Sequence, residues 1–128
     1  MNIRRQTKAL LAGAAVIAGL ALAQTGAQAA PSDCYSGYIC FYKDGGYKSL
    51  IHSRYVSGTL TSSCWDLPRS VWDQASSWYN NAYVNGVAQN HLWWGGTETL
   101  WTMGPSRGSS FVGVSVNDIM DRYCVSPV

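Results

Sequence analysis

From residue 30 onward, apolar positions come in short aromatic and β-branched runs separated by Gly, Asn, Asp and Ser. No stretch repeats apolar residues at i, i+3, i+4 and i+7 over several turns. The pattern predicts an all-β domain, with helix confined to a short turn around Pro68–Gln74. Asp44-Gly45-Gly46 separates Tyr38–Lys43 from Tyr47–Ser53 and predicts a hairpin with Gly taking positive φ. Asn85-Gly86, the strongest two-residue turn signal in the chain, predicts another between Ser77–Val84 and Val87–Trp94. A two-residue loop there would set Trp78 opposite Trp93 and Tyr79 opposite Leu92. Met103–Ser110, rich in Gly, Pro and Ser, predicts an ordered surface loop.

The N-terminal segment has a different character. Arg4, Arg5 and Lys8 precede an apolar run from Ala9 to Ala23, and Ala27-Gln28-Ala29 has the small-x-small form of a cleavage site. The run falls short of the roughly 18 apolar residues of a spanning helix. Residues 1–29 are therefore expected to be a secretory signal peptide, and residues 30–128 a single secreted domain with no membrane attachment after cleavage. Of nine Lys+Arg and seven Asp+Glu, the segment 1–29 holds three basic residues and no acidic one, leaving six against seven, a net of −1. The basic character of the whole chain thus belongs to the leader, and the scattered remaining cations predict no nucleic-acid partner.

Export also changes the reading of Cys34, Cys40, Cys64 and Cys124, an even number that predicts two disulfides in an oxidising compartment. Three pairings are open. A local Cys34–Cys40 bridge would staple the chain start and leave Cys64 to meet Cys124 across a long loop. Zinc is a weak rival, since no two cysteines have the close spacing of zinc ligands and His52 and His91 stand alone.

Several motifs point to one family. Tyr42-Lys43-Asp44-Gly45-Gly46-Tyr47 resembles the aromatic-x-x-x-x-aromatic hairpin of a βγ-crystallin Greek key, although Ser49 stands where the signature has Gly. Trp72-Asp73-Gln74-Ala75-Ser76-Ser77 resembles the crystallin calcium loop of two Asn/Asp, two free positions, then Ser/Thr and Ser. Asn117-Asp118-Ile119-Met120-Asp121-Arg122 is a looser copy. Together with Cys34-x5-Cys40-Phe41-Tyr42 and Tyr79-Asn80-Asn81, the chain is similar to the actinobacterial secreted peptidase-inhibitor family built on one such domain. The resemblance implies a disulfide-bonded, βγ-crystallin-like two-sheet Greek-key sandwich of two repeats, Cys34–Val84 and Val87–Val125. In that fold Asn85-Gly86 would lie at the junction of the repeats, in conflict with a simple hairpin there. It also implies a monomer that inhibits an extracellular peptidase, a metalloproteinase.

Catalysis is not expected. Gly104-Pro105-Ser106-Arg107-Gly108 has the Gly-x-Ser-x-Gly spacing of a nucleophile elbow, but no histidine follows His91 and Glu98 is the only glutamate. For calcium the resemblance implies Ser76 as a side-chain ligand and Asp121 as its counterpart, with Asp73 and Asp118 ordering the turns. Trp72 and Arg122 depart from the motif, so serine-capped turns without metal are favoured over a weak calcium site, and no cofactor is expected. An inhibitor needs a rigid exposed loop that loses little entropy on binding. Thr61–Leu67 is the better candidate, with Ser63, Cys64, Trp65 and Asp66 at its centre and the cysteine pinning its backbone; Met103–Ser110 is the other. Ordinary core packing is at least as good an account of Trp65. The rival function is a binding or structural module, calcium-stabilised or carrying Trp93-Trp94, Trp101 and Tyr83 as an aromatic platform for cell-wall glycans or a protein partner. A small secreted toxin is a third possibility, with nothing to indicate its target.

Overall fold

In the computed structural model, residues 29–58 and 61–128 are described. The expected leader, residues 1–29, lies outside them except for its last residue, Ala29. The strands are β1 (Tyr38–Asp44), β2 (Lys48–Tyr55), β3 (Ser63–Asp66), β4 (Ser77–Asn80), β5 (Val84–His91), β6 (Thr97–Met103), β7 (Arg107–Ser109) and β8 (Arg122–Pro127). One short 3₁₀ turn, Arg69–Val71, falls inside the predicted Pro68–Gln74. Among the described residues no helix is long and apolar enough to cross a membrane.

The strands form two four-stranded antiparallel sheets, ordered β2-β1-β4-β7 and β3-β8-β5-β6. Each half of the chain builds three strands of its own sheet and contributes its third strand, β3 or β7, to the edge of the other. The halves also correspond in detail: β1 is bulged between Phe41 and Tyr42, and β5 between Ala88 and Gln89.

Alternation along the strands places the core between the sheets. Ile39 and Phe41 of β1 and Trp78 of β4 meet Val84 and Ala88 of β5, Met103 of β6, and Tyr123 and Val125 of β8. The Phe41 and Tyr123 rings touch at 5.0 Å between centroids, a contact worth about 0.5–1.5 kcal/mol beyond the area it buries. Asn80 is fully buried with its amide satisfied. Its Nδ2 donates to the carbonyls of Val84 (2.8 Å) and Met103 (3.0 Å), and its Oδ1 accepts from the Ala82 N–H (3.1 Å). The opposite face of β1 is covered too, because Cys40 and Tyr42 are buried with Cys34 and Tyr79.

Two disulfides fasten this arrangement, Cys34–Cys40 and Cys64–Cys124. The second closes a sequence separation of 60, worth about 4 kcal/mol in the chain-entropy picture against about 2 kcal/mol for the first, whose separation is 6.

Three expectations change. The β1–β2 hairpin forms where predicted, but Asn85-Gly86 is no turn: both residues lie inside β5, paired with β8. Gly86 is there because a Cβ would press on Met103 at about 3.1–3.3 Å. Trp78 accordingly faces Phe41 and Ser109, not Trp93, and the halves join at Asn81–Tyr83. Met103–Ser110 is only partly loop, since it contains β7. Most consequentially, Ser63, Cys64, Trp65 and Asp66 form strand β3, laddered to Val125, Cys124, Tyr123 and Arg122. The centre of Thr61–Leu67 is therefore an edge strand and not a projecting loop.

Candidate functional site

All strand ends of one kind converge on a single pole. Antiparallel pairing brings the β1–β2 and β5–β6 turns together with the connections β3–β4 and β7–β8. The two connections carry the segments 72–77 and 117–122, and these are cross-bonded reciprocally. The Asp73 N–H donates to the Met120 carbonyl (3.0 Å), and the Asp118 N–H to the Ala75 carbonyl (3.3 Å). Ser76 N–H bonds the Tyr42 carbonyl at the first bulge (2.8 Å), and Asp121 N–H bonds the Gln89 carbonyl at the second (3.1 Å). Asp73 and Asp118 both hold positive φ, 57° and 59°. Aspartate tolerates that conformation better than most residues, which explains the shared residue type.

The side chains proposed for calcium are engaged with protein. Ser76 is buried, and its hydroxyl donates to Asp118 Oδ1 (3.1 Å). Asp121 is buried, and both its carboxylate oxygens accept the His91 N–H (3.0 and 3.1 Å). Burial raises the Asp121 carboxyl above its ordinary range, opposed by that hydrogen bond. Lys43, Asp44, Asp73, Gln74, Ser76 and Asp118 line an open hollow of about 220 Å³ beside the first loop. Among the described residues no three His, Cys, Asp or Glu gather in an arrangement suited to a metal ion.

The two hairpin turns at this pole differ. In the β1–β2 turn the Tyr47 ring folds back on Tyr42 (5.8 Å) and Tyr79 (6.2 Å). In the β5–β6 turn, Trp93 is 91% and Trp94 65% exposed. Their rings meet edge to face, 5.2 Å apart at 88°. Gly95 and Gly96, at φ 101° and 86°, supply the backbone conformations the turn needs. Leu92 N–H to Gly96 O and Gly95 N–H to Leu92 O close it, both at 3.0 Å.

The base of this hairpin is braced from three directions. His91 Nε2 bonds Asp66 Oδ1 of β3 (2.7 Å), its N–H is held by Asp121, and its ring lies 6.2 Å from that of Trp72. Trp72 is anchored in turn by its Nε1–H to the Leu67 carbonyl (2.7 Å). Asp66, expected at the centre of a reactive loop, thus braces the β5–β6 turn from strand β3.

Trp65 is half-buried, 4.8 Å beneath the Arg54 guanidinium and 5.6 Å from the Tyr123 ring. It is a packing residue joining β2, β3 and β8. The Tyr123 hydroxyl accepts from Arg54 Nε (3.0 Å) and bonds His52 Nε2 (2.9 Å). Burial pushes the phenol up to about 12, and burial together with Arg54 lowers the His52 imidazole.

The expected aromatic platform is not assembled. Tyr83 stands before the first residue of β5 while Trp93 lies beyond its last, and Trp101 packs half-buried on the core. The projecting pair was visible in sequence only as Trp-Trp followed directly by Gly-Gly, an apolar pair placed where a turn must be. Gly104-Pro105-Ser106 joins β6 to β7, strand to strand, without the helix a nucleophile elbow requires. Comparison with known proteins finds no matching family model, no matching curated protein and no matching solved structure.

Proposed function

We propose that the protein is a secreted, non-enzymatic inhibitor of an extracellular peptidase, a metalloproteinase, which it engages through the Trp93–Trp94 hairpin. The observation that carries this reading is a pair of exposed indoles on a turn whose base is tied to β3 and to the β7–β8 connection. Tryptophan is the side chain most enriched at binding hot spots, and a tip already ordered loses little entropy when it enters a cleft. The perpendicular rings make a wedge and not one continuous flat platform. The wedge suits an apolar specificity pocket.

The scaffold is proposed to be a βγ-crystallin-like pair of Greek keys. Support comes from the exchanged third strands, the matching bulges and the reciprocal hydrogen bonds between the two loops. The folded-back Tyr47 agrees with the aromatic hairpin of that fold. The calcium-binding role of Ser76 and Asp121 is not part of the proposal, since each already has a protein partner.

The test is a titration of the oxidised, secreted protein against a thermolysin-like metalloproteinase with calcium in large excess, so that sequestration cannot mimic inhibition. A sharp near one-to-one loss of activity is expected, and Trp93→Ala with Trp94→Ala should weaken it about thirtyfold. Full activity at high molar excess overturns the metalloproteinase reading. Retention on insoluble cell-wall polymer, lost in the same double variant, would replace it with glycan binding.

A further inference from the structure

The two disulfides occupy opposite environments. Cys34 and Cys40 are 2% and 0% exposed, packed in one buried cluster with Tyr42 and Tyr79. Cys64 and Cys124 face each other directly across the β3–β8 ladder, on the side of the sheet turned away from the core, since Tyr123 and Val125 point inward. Cys64 is exposed and Cys124 half-exposed. Because β3 is the edge strand, no strand of its sheet lies beyond Cys64, on the side of its sulfur opposite Cys124.

The other end of the bond has room as well. Cys124 borders an open hollow of about 230 Å³ formed with Ser62, Asn85, Val87 and Ser126. Arg122, two residues before Cys124 on the same strand face, has a buried Nε with no hydrogen-bond partner among the described residues. The sulfur itself lies 3.4 Å from Gln89 Oε1, so a thiolate leaving at Cys124 meets that acceptor as well as the Arg122 cation two residues along the strand, the one group there that would stabilise it.

We propose that Cys64–Cys124 is a site of selective reduction by an extracellular dithiol, while Cys34–Cys40 stays closed. The dithiol's thiolate attacks Cys64 Sγ and forms a mixed disulfide, and Cys124 leaves as a thiolate that takes a proton from water. The second dithiol sulfur then attacks the first, releasing Cys64 as a thiol. Two electrons pass to the protein disulfide and the reductant ends as a disulfide. The first consequence falls on β3, which pairs only with β8, over four positions, and on what β3 braces, the Asp66–His91 bond and the Trp65–Arg54 contact. The ladders of sheet β2-β1-β4-β7 and of β8-β5-β6 contain no β3 residue, so they persist although reduction removes the bridge's share of stability.

The test treats the folded, oxidised protein with graded dithiothreitol, traps free thiols with N-ethylmaleimide and assigns them by peptide mass spectrometry. Cys64 and Cys124 should label at least about tenfold faster than Cys34 and Cys40, as access-controlled exchange requires. Amide exchange should rise over β3 while β1 and β4 stay protected. Arg122→Gln should slow labelling of Cys64 and Cys124 without changing that of Cys34 and Cys40. Equal labelling of all four cysteines, earlier labelling of Cys34 and Cys40, or labelling only where the whole chain unfolds would overturn the proposal. Sulfur labelling does not depend on any peptidase, so the outcome is separate from that of the inhibitor titration.

Discussion

The β1–β2 and β5–β6 turns occupy corresponding places in the two halves, yet one is closed and the other presents its side chains. The closing device in the first is Ser77. Its hydroxyl donates to the Asp44 carbonyl (2.7 Å) and accepts the Tyr47 N–H (3.2 Å), which holds the turn down and seats the Tyr47 ring. Gly46 N–H adds a bond to the Ser110 carbonyl (2.7 Å). In the second half the position of Ser77 is taken by Arg122, which has no short hydroxyl to tie a turn down. Asp121, in the place of Ser76, instead grips His91 at the strand end and leaves the tip beyond it free. A change at the end of a loop motif thus separates a structural hairpin from a presenting one, with the same backbone frame beneath both.

This contrast predicts unequal costs for aromatic truncation. Tyr47→Ala should destabilise the fold by about 2–3 kcal/mol, while Trp93→Ala should stay within about 0.5 kcal/mol, both read by denaturant unfolding. Smaller than the first effect is the expected functional one. Trp93→Ala with Trp94→Ala should weaken peptidase binding by about 2 kcal/mol, close to thirtyfold, with an unchanged unfolding midpoint. An equal loss from Tyr47→Ala, measured where that variant is still folded, would erase the distinction between the turns.

Next comes the device itself. Ser77→Ala strands the Tyr47 N–H and the Asp44 carbonyl and should cost about 1–2 kcal/mol. Its signature is faster amide exchange at Tyr47, with none at Trp93–Gly96. The smallest effect sharpens the link between the sheets. Because the His52 imidazole is lowered in the fold, the unfolded chain takes up its proton first as pH falls. Its contribution to stability is therefore full above about 6.5, the unfolded value, and declines as pH falls from there toward the folded value. His52→Gln should remove that slope in melting curves recorded between about pH 7 and 5.

The all-β class, two disulfides, the β1–β2 hairpin and a short turn at Arg69–Val71 were legible in the residues. These features depend on local conformation and close spacing, which a Gly-Gly turn or an aromatic alternation expresses directly. Asn85-Gly86 misled because glycine serves a tight approach to Met103 as well as a turn, and only the neighbour distinguishes the two uses. Ser63–Asp66 misled for a related reason. Its four residues have the composition of an exposed loop because they form an edge strand, half in water, held by a partner 60 positions away at Cys124.

By itself, then, the sequence determined which segments could become strands, where chain reversal was cheap, and how many cysteine pairs were available. The tertiary structure decided that the third strand of each half joins the opposite sheet, that Trp65 packs half-buried on the core, and that Trp93 and Trp94 project. The physical reason is range. Turn and strand preferences are set within a few residues, whereas exposure is a property of what arrives from elsewhere in the chain, and at the second turn Arg122 arrives where Ser77 does at the first.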